Sequence, residues 1–233
     1  MSEKHYLVSG SSRGIGLAIS EALLAAGHRV TGIARSTPAL HGRYEHIALD
    51  LSDAEAVRRA LEPRLKQTCF DGLINNAGAG LFGSLEEFSW AQIEASLRLN
   101  LLSAMQLTRL LIPQLKRQAR SDIVFIGSES ALQGGRYGSV YSAAKFGLRG
   151  FAQSLRHECA GSNTHVGIVQ PGMVRSDFFN DLHFGPGPDA AHALLPADVA
   201  AAVMQMLNAP DHALIEELIV NPRQHVVKKK PRQ

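Results

Sequence analysis

At 233 residues, with 45% apolar side chains and 21 glycines that follow no period, the chain can bury a sizeable core, which excludes disordered, collagen-like and repeat classes. Two cysteines, Cys69 and Cys159, fit neither a metal-ligand spacing nor a disulfide framework, so no metal is expected and a reduced, cytoplasmic setting is. The basic balance is local: four of the 24 Lys and Arg fall in residues 228–233 with no acid, leaving 20 basic and 21 acidic side chains in residues 1–227. The body therefore offers no nucleic-acid surface, and the KKKPR end reads as a solvated, frayed tail spanning about residues 226–233. The start, MSEKHYLVSG, passes directly into a strand, and no apolar run approaches the length that spans a bilayer, so a soluble, non-exported protein without membrane contact is expected. No internal break divides the chain, and residues 1–233 are read as one domain.

Residues 5–9 form a short apolar run that enters Gly10-Ser-Ser-Arg-Gly14-Ile-Gly16, after which Ile15, Ile19, Ala22 and Ala26 recur at helical spacing up to Gly27. Strand, glycine turn and helix follow in the order a dinucleotide-binding unit requires. The glycines let the backbone approach a pyrophosphate, whose charge sits at the helix N-terminus. A ligand-free tight turn has the same local signature. Residues 29–33 read as the second strand, ending at Ala34-Arg35, where this architecture places an acid for a ribose 2′-hydroxyl or an arginine for a 2′-phosphate. The acid is missing, and Arg35 together with Arg13 in the glycine turn favours NADP(H) over NAD(H).

Residues 46–49 read as a third strand closed by Asp50-Leu51, where Asp50 faces the adenine edge, and a helix follows over 53–66 with Asp53 near its start. A fourth strand over 72–75 enters Asn75-Asn76-Ala77-Gly78, where side-chain amides can bridge backbone groups of neighbouring strands and Gly78 leaves room for a cofactor; Asn75 and Asn76 either touch the chemistry or only hold the sheet. Residues 84–118 carry helical periodicity, with Asn100 set among leucines, where a short amide needs either a backbone carbonyl or a held water as partner. A fifth strand over 122–126 leads to Ser128. A sixth strand over 164–170 leads to Pro171-Gly172, and residues 177–195, with three phenylalanines and two Gly-Pro pairs, read as a substrate loop or as ordinary packing. A helix over 196–208 and a strand over 218–220 close the pattern. Strands alternating with helices predict an α/β fold: a single-domain Rossmann fold, doubly wound around a mostly parallel seven-stranded sheet with helices on both faces.

The chemistry concentrates in Ser128–Lys145, SESALQGGRYGSVYSAAK. Tyr141 and Lys145, four apart among good helix formers, lie on one helix face a turn apart, and an ammonium beside a phenol lowers the phenol's ordinary pKa of about 10. Ser128, at the carboxyl end of a buried strand, stands where open α/β sheets bind ligands and where a hydroxyl can hold a carbonyl oxygen.

Together, SGSSRGIG at 9–16, NNAG at 75–78, Asn100, Ser128, YSAAK at 141–145 and PGMVRS at 171–176 resemble the short-chain dehydrogenase/reductase family over essentially the whole chain. The resemblance implies that Tyr141 is the general acid/base, that Ser128 polarises the substrate oxygen, that Lys145 binds the nicotinamide ribose and lowers the Tyr141 pKa, and that Asn100 anchors a relay water. It implies cofactor contacts from Gly10, Ser12, Arg13, Gly14, Ile15, Gly16, Arg35, Asp50, Leu51, Asn76, Ala77, Gly78, Tyr141, Lys145, Pro171, Gly172, Val174 and Ser176, and a homotetramer or homodimer. Ser9 and Ser176 replace threonines usual in the family and keep the hydroxyl. The function expected is hydride transfer between NADP(H) and a ketone, aldehyde or secondary alcohol; a 3-oxoacyl-thioester reductase and a non-catalytic dinucleotide sensor are the alternatives.

Overall fold

The computed structural model describes residues 3–230. Its centre is a seven-stranded sheet built from β1 (His5–Ser9), β2 (Arg29–Ala34), β3 (Tyr44–Ala48), β4 (Gly72–Asn75), β5 (Ser121–Ile126), β6 (Thr164–Pro171) and β8 (Glu217–Val220). The order is β3-β2-β1-β4-β5-β6-β8, and every pairing is parallel. The order reverses between β1 and β4, which opens a crevice beyond the carboxyl ends of the strands.

The central strands read as unbroken apolar runs because both their faces are covered. Leu7, Leu73, Ile123 and Phe125 point to one core, packed against Leu107, Leu111 and Leu115 of α4 (Ser103–Leu115) and Leu148, Ala152 and Leu155 of α5 (Ser139–Cys159). Tyr6, Val8, Ile74, Val124 and Ile126 point to the other, against Ile19 and Leu23 of α1 (Gly14–Ala25) and Val199 and Val203 of α6 (Pro196–Leu207). Neighbouring residues alternate between the cores because successive strand side chains point to opposite faces. On the first face α2 (Ala54–Leu65) starts at Asp53, whose carboxylate accepts the Ala56 N–H at 2.9 Å. No helix among the described residues is long and apolar enough to cross a membrane.

Two sequence expectations need correction. The periodic stretch 84–118 is not one helix: α3 (Trp90–Leu97), capped by Ser89, passes through a π turn at Arg98–Leu102 before α4 begins. Periodicity survives such a turn, because one extra residue shifts the apolar stripe without erasing it. The tail is not frayed where it is described: β9 (Val227–Lys229) pairs antiparallel with β7 (Phe184–Pro186), matching Phe184 to Lys229 and Pro186 to Val227. Arg232 lies outside the described residues. Lys228 and Lys229 of β9 are exposed while the strand's backbone supplies the pairing, so a charge run and a strand coexist.

Leu107 is fully buried between the sheet and the α2, α4 and α5 layer. Leu107→Ala should lower the unfolding free energy by about 2–5 kcal/mol, read from urea melts of the purified chain.

Candidate active site

The glycine turn between β1 and α1 is shaped by two constraints. Gly10 has φ of +67°, and a Cβ on Gly16 would stand 2.1 Å from the Gly10 carbonyl oxygen, so the turn closes only with glycine at both places. Helix α1 begins with Arg13 as cap, without a side-chain cap bond and without an acid in its first turn. Its free N–H groups and positive dipole end are therefore available to an anion. Arg13 and Arg35 are both exposed near this end of the sheet, and no carboxylate follows β2. These residues fit the phosphates of an NADP-type dinucleotide. Ser12 lies in the turn itself, whereas Ile15 packs its side chain toward the α1–α6 core.

Asn76 fastens the turn: its side-chain amide donates to the Ser9 and Gly10 carbonyl oxygens, both at 3.1 Å, while Ser9 Oγ accepts the Asn76 and Ala77 N–H groups at 2.9 and 3.1 Å. Asn75 turns away to donate to Thr108 Oγ1 at 3.1 Å. Asn76 thus ties β4 to β1 and the glycine turn, and Asn75 ties β4 to α4. At the next strand end the Asp50 carboxylate accepts Ser52 N–H at 2.9 Å and Ser52 Oγ–H at 2.7 Å, contacts that hold it below the ordinary carboxylate range. Leu51 is buried in the core.

Asn100 sits in the π turn and is 1% exposed. Its Oδ1 accepts the Ala79 N–H at 3.1 Å, and its Nδ2 donates to the Ala79 carbonyl at 2.9 Å and the Ser96 carbonyl at 3.0 Å. The amide thus clamps the segment after β4 to the helix. A Cβ on Gly78 would lie 2.8 Å from Asn100 Oδ1, so the glycine makes room for this clamp as well as bordering the crevice.

Helix α5 carries Tyr141 and Lys145 on its buried face, 6% and 4% exposed. Lys145 Nζ donates to the Ile126 carbonyl at 3.0 Å and lies 5.7 Å from the centre of the Tyr141 ring. Burial pushes the Tyr141 phenol up to about 12; the Ser128 hydroxyl opposes the rise and the Glu129 carboxylate adds to it. Burial brings the Lys145 ammonium down to about 8. The net shift of the phenol is upward, opposite to the depression expected from the ammonium, because desolvation disfavours the charged form. Ser128 starts a 3-10 turn, Glu129–Ala131, and its Oγ accepts the Ser130 N–H at 3.1 Å.

A network that the sequence does not announce fixes Ser128. Gln170 at the end of β6 is fully buried; its Oε1 accepts the Ser128 N–H at 2.7 Å and its Nε2 donates to Glu217 Oε1 at 2.9 Å. Glu217 is held in turn by Arg149 of α5, two bonds of 2.9 Å each. Two helical turns separate Arg149 from Tyr141, so the phenol and the serine are tied to one helix. The one sequence signal is a polar side chain ending an apolar strand.

Beyond Gln170, Pro171 ends β6, and the Gly172 N–H donates to the Val220 carbonyl at 2.8 Å. Val174 is buried and bridges to Leu194, and Ser176 starts the 3-10 turn Asp177–Phe179. A Cβ on Gly14 would come 3.6 Å from Ser176 Cβ, which brings the segment 171–176 against the glycine turn. The residues expected in the site therefore gather at the carboxyl ends of β1, β4, β5 and β6, except for the outlying Arg35, Asp50 and Leu51 at the ends of β2 and β3. Among the described residues no group of three or more His, Cys, Asp or Glu could hold a metal ion.

A family model described as short chain dehydrogenase matches residues 4–184. The chain is 33% identical over 179 residues to a sepiapterin reductase from Chlorobaculum tepidum, covering 76% of this chain and 71% of the relative. It is 32% identical over 216 residues to the ketoacyl reductase HetN from a Nostoc species, covering 88% and 75%. Among solved structures, an alcohol dehydrogenase from the archaeon Thermococcus sibiricus complexed with 5-hydroxy-NADP superposes with a TM-score of 0.84 at 26% identity, over 97% of this chain and 99% of that one.

Gln170→Met removes the acceptor and leaves the Ser128 N–H unpaired. It should cost about 1–3 kcal/mol of stability and speed hydrogen exchange at Ser128, measured by chemical denaturation and NMR.

Proposed function

The chain belongs to the short chain dehydrogenase family, a family of oxidoreductases, and from that premise we propose that it is an NADPH-dependent carbonyl reductase. The observation that carries the reading is the burial of Tyr141 and Lys145 on one face of α5 beside Ser128. NADP(H), when bound, supplies or accepts the hydride. The glycine turn and the α1 N-terminus suit its pyrophosphate, and Arg13 and Arg35 its 2′-phosphate. Asn76, Ala77, Gly78, Lys145, Pro171, Gly172, Val174 and Ser176 border the path to the nicotinamide.

The side chains then divide the work at the substrate oxygen. Ser128 Oγ donates a hydrogen bond to the carbonyl and so stabilises the charge that develops there. Tyr141 gives its proton to the same oxygen. A phenol held at about 12 keeps that proton at neutral pH, which suits reduction; the reverse reaction requires its removal. Lys145, still mostly charged at neutral pH with a pKa of about 8, places a cation beside the phenol and near the ribose position. Asn100 acts through the backbone it clamps. Tyr141 and Lys145 meet the solvent-poor end of the sheet, where such bonds are stronger than in water.

Similarity to an alcohol dehydrogenase complexed with 5-hydroxy-NADP supports the cofactor choice. A 3-oxoacyl thioester is the second substrate reading, favoured by similarity to a ketoacyl reductase and by the exposed Lys228 and Lys229 beside the loop 177–195. A sensor without catalysis would have no need of the aligned phenol, ammonium and hydroxyl. Exposed Trp90, Leu102 and Phe146 on neighbouring elements support assembly as a homodimer or homotetramer, and the cysteine use supports the cytoplasm as its place of work.

Tyr141→Phe should retain NADPH binding and lose roughly 10²- to 10⁴-fold in turnover of a ketone panel; unchanged turnover removes Tyr141 from the acid role. Arg35→Ala should weaken NADPH roughly ten- to a hundredfold while barely changing NADH, in fluorescence titrations; equal weakening refutes the 2′-phosphate contact.

A further inference from the structure

Tyr141 is one member of a closed circuit of five aromatic rings. Its centroid lies 5.1 Å from that of Phe82; Phe82 is 5.0 Å from Phe184; Phe184 is 5.8 Å from Phe179; Phe179 is 5.1 Å from Phe178; and Phe178 returns to Tyr141 at 5.9 Å. Every contact is tilted or edge-on, with interplanar angles of 43° to 86°. Phe179 is buried, whereas Phe82, Phe178 and Phe184 are partly exposed, so the circuit is within reach of solvent.

The ring is held in place. Phe178, Phe179 and Phe184 belong to the loop 177–195, and β9 pins that loop from outside through its pairing with β7. Lys230, directly after β9, ties it twice more: its N–H donates to the His183 carbonyl at 2.8 Å, and its Nζ donates to the Phe179 carbonyl. Phe82 approaches from the other side, in the segment after β4 whose Gly83 N–H donates to the Tyr137 carbonyl at 2.8 Å. These anchors hold the backbones that carry the rings, so a ligand is admitted by side-chain rotation alone, which keeps the ordering cost of binding small.

We propose that this aromatic circuit receives the non-reacting part of the substrate, and that the substrate is a carbonyl compound carried on a flat aromatic ring. The inference rests on Tyr141 being the reacting phenol. A compound reaching the phenol must part rings that now touch one another. A flat ring restores the lost edge-to-face contacts with its own face and edge; a puckered ring of the same size meets the phenyl faces with axial hydrogens and cannot interleave. A carbonyl attached directly to that flat ring would be left at the phenol, beside Ser128.

The test compares acetophenone with cyclohexyl methyl ketone, equal in size and different in flatness, binding to the full chain loaded with NADP⁺, by calorimetry. Acetophenone should bind roughly tenfold tighter, the combined effect of several aromatic contacts, and Phe82→Leu and Phe178→Leu, each checked for cooperative thermal unfolding, should each erase most of that preference. Equal affinity of the two ketones, binding of neither, or a preference that survives both substitutions overturns the proposal. NADPH oxidation with aliphatic ketones alone would leave the reductase reading intact while removing the aromatic one; NADPH oxidation with no carbonyl of either kind would remove the reductase reading itself.

Discussion

The site depends on an ammonium kept out of water. Lys145 is 4% exposed, and its hydrogen bond to the Ile126 carbonyl places it at the carboxyl end of β5. An isolated buried cation is strongly disfavoured, so the position is stable only where carbonyl dipoles are fixed and point the right way. The parallel sheet supplies that condition, because its strand ends present unpaired carbonyls to one crevice. The same desolvation that lowers the lysine raises the tyrosine beside it. One buried patch thereby yields a phenol that keeps its proton and an ammonium whose pKa is brought down toward neutrality.

Around this pair the fold adds rigidity rather than further reactive groups. Asn76 locks β1 to β4, Asn100 locks the segment after β4 to the π turn, and Gln170 locks Ser128 to β6 and, through Glu217 and Arg149, back to α5. Each lock uses a polar side chain, buried at Asn100 and Gln170 and partly buried at Asn76, whose partners are backbone groups or a matched carboxylate. Satisfied networks of this kind hold reacting atoms to a narrow geometry. The opposite wall is apolar, and the chain assembles it from segments distant in sequence, brought together by the loop 177–195 and the strand that covers it.

How far the sequence speaks follows from this division. The central strands are legible because both faces are buried, which leaves runs such as Ile123–Ile126 almost wholly apolar. Tyr141, Lys145 and Ser128 are legible because the first two share a helix face and the third ends a strand. The π turn is hidden because helical periodicity continues through Arg98–Leu102. Strand β9 is hidden because lysines on an exposed edge look the same as lysines in solvent. Phe82 gives no local sign of its place: its meaning comes from Tyr141 and Phe184, which only the folded chain brings to it. The depressed phenol pKa expected from Lys145 fails for a related reason, since spacing shows which groups are neighbours and not how dry they are.

The most direct measurement is a titration of the purified protein with NADPH and NADH, followed by addition of a ketone to the NADPH complex. The account predicts tighter binding of NADPH and its oxidation once the carbonyl is present. Failure to bind either dinucleotide would contradict the assignment of the glycine turn, the α1 terminus and the two arginines on which the whole reading is built.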